Sequence, residues 1–283
     1  MNLNNNKFKP GLYCVATPIG NMGDISFRAV KILQESNLIL CEDTRVTKKI
    51  LQKFEINNKL ISNHKFNENK NLEKVIETLK DNKIVSIVSD AGTPAISDPG
   101  KILVKECVKN NVEIFPIPGA SAVSAAISIS GFSDNFYFCG FLPEKQNQIK
   151  KLFKNLSILE SSIIFFISPN KLDKRIGDIK EFFINRDILI CREITKYHEE
   201  YIRIPVNELS KVNFSRKGEL TIVISEIKKE KLSFKELEES DKKKINKLIK
   251  KMSIKDIVMK VSQDREISKK LIYNYCLQIK NEN

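Results

Sequence analysis

Only two histidines occur among the 283 residues, His64 and His198, and both stand in polar surroundings. Neither belongs to an H-E-x-x-H spacing, no EF-hand pattern occurs, and the chain therefore lacks a recognisable metal-ligand set. The six cysteines (Cys14, Cys41, Cys107, Cys139, Cys191 and Cys276) form no C-x-x-C pair and lie mostly inside apolar runs. That excludes a disulfide framework and reads as small core residues. No apolar run approaches the roughly 18 residues that a bilayer span needs. The opening Met-Asn-Leu-Asn-Asn-Asn-Lys lacks the apolar centre of a signal peptide, so a cytoplasmic location is expected. Neither a P-loop nor a G-x-G-x-x-G is present. Arginine is scarce as well, at 8 of 48 basic residues. The net charge of +13 thus rests on lysine, in a chain crowded with Asn and Ile. Such charge reads either as a nucleic-acid footprint, which works by counterion release, or as solvated surface.

What is present is a strand, loop and helix repeated. Leu12 to Ala16 is apolar and breaks at Thr17-Pro-Ile-Gly-Asn-Met-Gly-Asp24 before a helix from Ser26 to about Glu35. Leu38 to Cys41 ends in Glu42-Asp43-Thr44-Arg45, ahead of a helix with Ile50, Leu51 and Phe54 on one face. Polar residues crowd 57–71, and a helix over about 72–80 follows. Ile84 to Val88, β-branched and uncharged, runs into Ser89-Asp-Ala-Gly-Thr-Pro-Ala-Ile-Ser-Asp-Pro-Gly100. There Asp98 is expected to cap a helix that Pro99 opens and that carries Ile102, Leu103 and Cys107. A fourth strand, Val112 to Phe115, ends at Pro116-Ile-Pro-Gly-Ala-Ser-Ala122. Right-handed crossovers would place all four loops at one edge of a parallel sheet, where backbone groups are free to hold a ligand.

Beyond Gly131 the pattern changes, and Gly140-Phe-Leu-Pro143 reads as a hinge. A second α/β domain is expected, with a helix near 146–156 and strands at 163–167, 188–191, 201–206 and 220–224. Few helices separate the last strands, which predicts a mixed sheet. Residues 227–283 carry 16 Lys and Arg against 9 Asp and Glu. Ser253 and Asp256 resemble a capping box, Ile254, Ile257, Val258 and Val261 form one face, and a final helix would hold Ile267, Leu271, Tyr275 and Ile279. This module reads as a helix-turn-helix or as a packing bundle. The expected organisation is α/β throughout: a parallel N-terminal domain over 10–132, a mixed domain over 136–226 and a basic helical module over 227–283.

A nicotinamide cofactor is suggested by Glu42, about twenty residues beyond the first loop, but the glycines it requires are missing. The motifs Thr17-Pro-Ile-Gly-Asn-Met-Gly-Asp-Ile25, Cys41-Glu-Asp-Thr-Arg45, Ser89 to Gly100, Pro118-Gly-Ala-Ser-Ala122 and Gly140-Phe-Leu-Pro143, in that order, resemble the tetrapyrrole-methylase superfamily. More narrowly, they resemble its branch that methylates small-subunit ribosomal RNA. The resemblance implies S-adenosylmethionine in a cleft between two α/β domains, a homodimer, and 2′-O-methylation of a cytidine in 16S ribosomal RNA. Methylation of a small tetrapyrrole and RNA binding without catalysis are the alternatives. On this resemblance the cofactor would be held by Thr17, Pro18, Asp90, Ala91, Gly92, Pro94, Ser121, Ala122, Ser168 and Pro169, with no metal. The chain departs from the pattern at Ile167-Ser-Pro-Asn-Lys171, where Glu-Ser-Pro-His-Arg would stand. A ribose hydroxyl is a weak acid, and Asp43 and Arg45 are the candidates to act on it. Asp43 reads equally well as a helix cap, with Glu42 paired to Arg45.

Overall fold

The structure is a computed structural model that describes residues 7–213, 215–228, 237–264 and 267–281. The chain forms two compact units, one up to Ile227 and one from Lys228 onward. Among the described residues no helix is long and apolar enough to cross a membrane.

The first unit holds two five-stranded sheets. In the first, strands β1 (Gly11–Val15), β2 (Leu38–Cys41), β3 (Leu60–Ser62), β4 (Ile84–Ile87) and β5 (Ile114–Ile117) lie in the order β3-β2-β4-β1-β5. Every pairing is parallel. Helices α1 (Phe27–Glu35), α2 (Thr44–Lys53), α3 (Glu68–Lys80) and α4 (Lys101–Lys109) cover both faces. The strand period of two explains how. Tyr13, Val15, Ile39 and Cys41 point into one core with Ala29, Ile32 and Leu33 of α1. Leu12, Leu38 and Leu40 point into the other, with Val75 and Leu79 of α3 and Leu103 and Cys107 of α4.

Two expectations need correction here. The polar stretch over 57–71 contains a strand, β3, which pairs with β2 through Leu60, Ile61 and Ser62, so the sheet has five strands and not four. Asp98 is not a helix cap. α4 begins at Lys101 behind Gly100, with no cap from its own side chain. Buried Glu68 of α3 does that work, because its Oε1 accepts the amides of Gly100 (2.9 Å) and Ile102 (3.2 Å).

Helix α5 (Ala122–Ser128) follows β5 in sequence but packs on the second sheet, where Ala126 joins Ile164, Leu189, Cys191 and Val223. That sheet runs β6 (Phe136–Phe141), β7 (Ser162–Ile167), β10 (Leu220–Ile224), β8 (Asp187–Arg192) and β9 (Glu200–Pro205). β6 and β7 are parallel and the rest antiparallel, which is the mixed sheet expected. Helices α6 (Gln146–Ser157) and α8 (Ile176–Phe183), the latter reached from β7 through the short α7 (Pro169–Asp173), close its other face around Phe153, Phe165 and Phe183. Arg186, 3 % exposed, donates to the carbonyls of Ser157, Leu159, Ser161 and Ser225. Gly140 is not a hinge. It lies inside edge strand β6, at a register shift between Phe138 and Phe141, with φ +71°.

The second unit consists of α9 (Glu239–Leu248), α10 (Ile254–Asp264) and α11 (Lys269–Asn281). The Ser253 hydroxyl accepts the Asp256 amide at 3.3 Å and donates to its carboxylate at 2.6 Å, so the capping pair forms. Ile257 and Val261 are buried as expected, with Ile254 and Val258 packed beside them. The seam on α11 is shifted, however. Ile272 and Cys276 are fully buried while Leu271 is 40 % exposed, because a helix start two residues past Ile267 rotates the face.

Candidate active site

The loops after β1 and β4 are joined to each other. Thr17 and Gly92 exchange amide-to-carbonyl hydrogen bonds of 2.9 and 3.0 Å, and the Thr17 hydroxyl donates to the Ser89 carbonyl at 3.0 Å. Gly92 adopts φ +78°, Ala95 +64° and Ser97 +65°. A non-glycine residue in this region costs about 1–2 kcal/mol, and such strain is characteristic of binding loops. The loop passes close to β6, where a Cβ on Gly140 would stand 2.7 Å from the Ser97 hydroxyl. Gly92 is needed for its conformation more than for space, because a Cβ there would meet Ile19 at 3.4 Å.

This loop floors a cleft of about 430 Å³ between the two sheets, within the usual range for small-molecule sites. Asp90, Ala91, Gly92, Ser121, Ala122 and Ser168 line it, while Thr17, Pro18, Pro94 and Pro169 are buried behind its wall. Ile19, and not Pro18, presents the apolar surface of the first loop. Of the far wall only Phe141 lies in a sequence motif, Gly140-Phe-Leu-Pro143; Phe166 and Thr221, also from the second sheet, and Lys196, paired with Glu193 and Glu219 at 2.9 Å each beside it, carry no signal in the sequence. Ile167 also faces the cleft, so an apolar side chain stands where the family pattern has an acid. Lys171 pairs at the surface with Glu144 (3.3 Å).

A second, open cavity of about 520 Å³ adjoins the first and shares Asp90 with it. Glu42, Asp43 and Arg45 line it, at the carboxyl end of β2. Asp43 caps α2 by accepting the Arg45 amide at 2.8 Å, and the Arg45 guanidinium grips the same carboxylate at 2.6 to 3.1 Å. Asp43 therefore both caps α2 and pairs with Arg45, and Glu42 is not Arg45's partner. These bonds hold the Asp43 carboxyl down at about 2. The Asp43 amide donates to Asp90 at 3.0 Å, which ties the two cavities together.

The neighbouring carboxylates behave differently. Asp98 lines the cleft and is pushed up to about 6, first by burial and then by Glu42 and Asp90. Glu42 is raised by burial and then by Asp90. The junction of the cavities therefore carries more negative charge than Arg45 offsets. The residues flanking Asp98 in sequence are those of a helix start, and nothing local to it signals its place in this cluster.

Comparison with known proteins gives a consistent result. The family model described as Tetrapyrrole (Corrin/Porphyrin) Methylases matches residues 11–210. A protein of Halalkalibacterium halodurans named ribosomal RNA small subunit methyltransferase I is 36% identical over 275 residues, covering 94% of this chain and 94% of its own. A Thermotoga maritima protein of the same name is 44% identical over 218 residues, or 76% of this chain and 97% of its own. Among solved structures, diphthine synthase superposes with a TM-score of 0.60 at 15% identity, over 76% of this chain and 89% of that one. At that identity the likeness is one of fold.

Proposed function

We propose, from the premise that this chain belongs to the tetrapyrrole (corrin/porphyrin) methylase family, that its cleft binds S-adenosylmethionine and that it methylates the ribose 2′-oxygen of a cytidine in 16S ribosomal RNA. Asp90 carries this reading, because it lines both cavities, so a cofactor in one and a nucleotide in the other would share a wall. The names of the relatives favour RNA as the acceptor.

The residues fit the cofactor in charge and in shape. Surplus carboxylate charge at Asp90 and Asp98 suits a ligand bearing a sulfonium and an ammonium. The left-handed loop around Gly92, with Ser121 and Ala122, offers backbone groups, and Ile19, Phe141 and Phe166 offer apolar walls for adenine. Thr17, Pro18, Pro94 and Pro169 shape that wall from behind. The bound cofactor supplies a methyl group on a positively charged sulfur that is its own leaving group. The protein must then supply placement and a proton acceptor. Asp43, held ionised near 2, is a weak base; its part is to fix Arg45, whose exposed guanidinium meets the RNA beside the reacting oxygen. Glu42, raised and facing the same cavity, accepts the hydroxyl proton.

The division of labour follows the chain: 10–132 and 136–226 build the cleft, and the basic helices of 227–283 add RNA affinity. The enzyme works as a homodimer in the cytoplasm. Calorimetry with S-adenosylmethionine, with NAD as the control, tests the cleft. Labelled cofactor offered with undermethylated small ribosomal subunits or with a tetrapyrrole tests the acceptor. Label on the macrocycle overturns the choice of RNA, and cofactor binding without transfer to either favours an RNA-binding protein that has kept the fold.

A further inference from the structure

The loop after β3 presents a phenylalanine to solvent under conditions that demand an explanation. Phe66 is 92 % exposed, although burying such a side chain would stabilise the fold. The loop is not loose. The Asn67 side chain accepts the His64 amide at 2.7 Å and donates to the Ser62 carbonyl at 3.0 Å, Asn71 donates to the same carbonyl at 2.8 Å, and the Phe66 amide donates to His64 Nδ1 at 3.2 Å. The backbone thus holds the ring out in water.

Phe66 lines the open cavity together with the cations Arg45 and Lys65, with His64, and with the carboxylates of Glu42, Asp43 and Asp90. An exposed aromatic face with cations beside it is what an unstacked nucleotide binds: the base stacks and the phosphate meets the cations. His64 adds a donor. Because Nδ1 accepts a hydrogen bond, the neutral ring carries its proton on Nε2 and offers it to a base acceptor. The shared Asp90 puts such a nucleotide next to the cofactor cleft.

We propose that this cavity is a seat for one unstacked ribonucleotide, with Phe66 as its stacking platform and Arg45 and Lys65 as the cations that meet its phosphate. The assignment deepens the proposed function and rests on it for the identity of the nucleotide.

The test compares Phe66→Ala, Phe66→Leu and Phe66→Trp in the full-length protein. Two quantities are read: KM for undermethylated small subunits, and equilibrium affinity for the same subunits without methyl transfer. Stacking contributes about 1–3 kcal/mol per base, so the Ala and Leu variants should lose roughly 5- to 150-fold in both. Trp should restore most of the loss, while the melting temperature and S-adenosylmethionine affinity stay those of the wild type. A Leu variant as good as the wild type, or a loss that Trp does not restore, overturns the platform even if the enzyme methylates RNA normally. Should the wild type bind subunits but methylate nothing, the function falls while the Phe66 effect on affinity still decides the seat. A wild type that neither binds nor methylates them refutes both.

Discussion

Replacing Asp98 by Asn removes a carboxylate that the fold holds against its preference. In the folded protein Asp98 titrates at about 6 instead of 3.8, because it is half-buried and shares the cavity junction with Glu42 and Asp90. Each pKa unit corresponds to about 1.4 kcal/mol, so full expression of the shift would be about 3 kcal/mol. Solvent screening of a half-buried group reduces this to about 1–2 kcal/mol. The sign follows from proton counting: between about 3.8 and 6 the folded state binds more protons than the unfolded one, so rising pH destabilises the wild type through that window. Below it the carboxyl is neutral in both states and the cost vanishes. Above about pH 6 the cost is constant. The Asn variant should therefore melt like the wild type near pH 4 and above it by roughly 2–8 °C at pH 7 to 8, taking about 2–4 °C per kcal/mol for a chain of this order. The same substitution should weaken S-adenosylmethionine binding at neutral pH, since a cation then loses its carboxylate, and wild-type affinity should fall as pH drops through about 6. Thermal denaturation and calorimetry from about pH 4 to 8 measure both. Parallel melting curves for the two proteins across that range would refute the account of the acidic junction.

Gly92→Val should abolish cofactor binding by forcing a β-branched residue to φ +78°. Calorimetry on folded protein shows it, and unchanged affinity would remove that loop from the site. Asp43→Asn and Arg45→Ala should lower turnover in steady-state kinetics more than cofactor affinity; if turnover is unchanged and thermal denaturation shows only a loss of stability, Asp43 is merely the cap of α2 that its bond to the Arg45 amide makes it. Truncation after Lys228 should spare cofactor binding and flatten the salt dependence of RNA affinity by about 0.7 to 0.9 in log–log slope for each phosphate no longer neutralised. An unchanged slope would mean that the charge of the tail is only solvated.

The elements legible in the sequence are those whose residues carry the signal alone. β1, β2 and β4 are apolar runs ended by turn residues, whereas β5 runs through Pro116, two residues past the expected 112–115, and the loops meet at one sheet edge as the alternation requires. β3 escapes because three residues, Leu60-Ile61-Ser62, sit in a polar stretch and owe their strand to pairing with β2. The start of α4 escapes because its cap is Glu68, 32 residues away from Gly100. At the site, Asp90, Gly92 and Ser121 are visible as loop residues, but the wall formed by Phe141, Phe166 and Thr221 depends on how the second sheet faces the first. Glu42 and Asp98 differ from Asp43 only in what surrounds them. One carboxylate has an arginine and the others have each other, which no local pattern encodes.

The reciprocal bonds between Thr17 and Gly92 have a kinetic consequence. They splice two loops 75 residues apart into a single two-stranded piece, and the strained turn that follows lies close to Gly140, where a Cβ would meet the Ser97 hydroxyl. A floor built this way has no independent flap to lift. The turn over Glu193 to Glu199, with two further left-handed residues, Glu193 and Thr195, is tied to the same floor, because the Thr195 hydroxyl accepts the Asn21 amide at 3.1 Å. Lys196 latches that turn to Glu219 across the sheet. Because Lys196, Glu193 and Glu219 all line the cleft, breaking the latch should change the rates of ligand entry and exit and the equilibrium affinity with them.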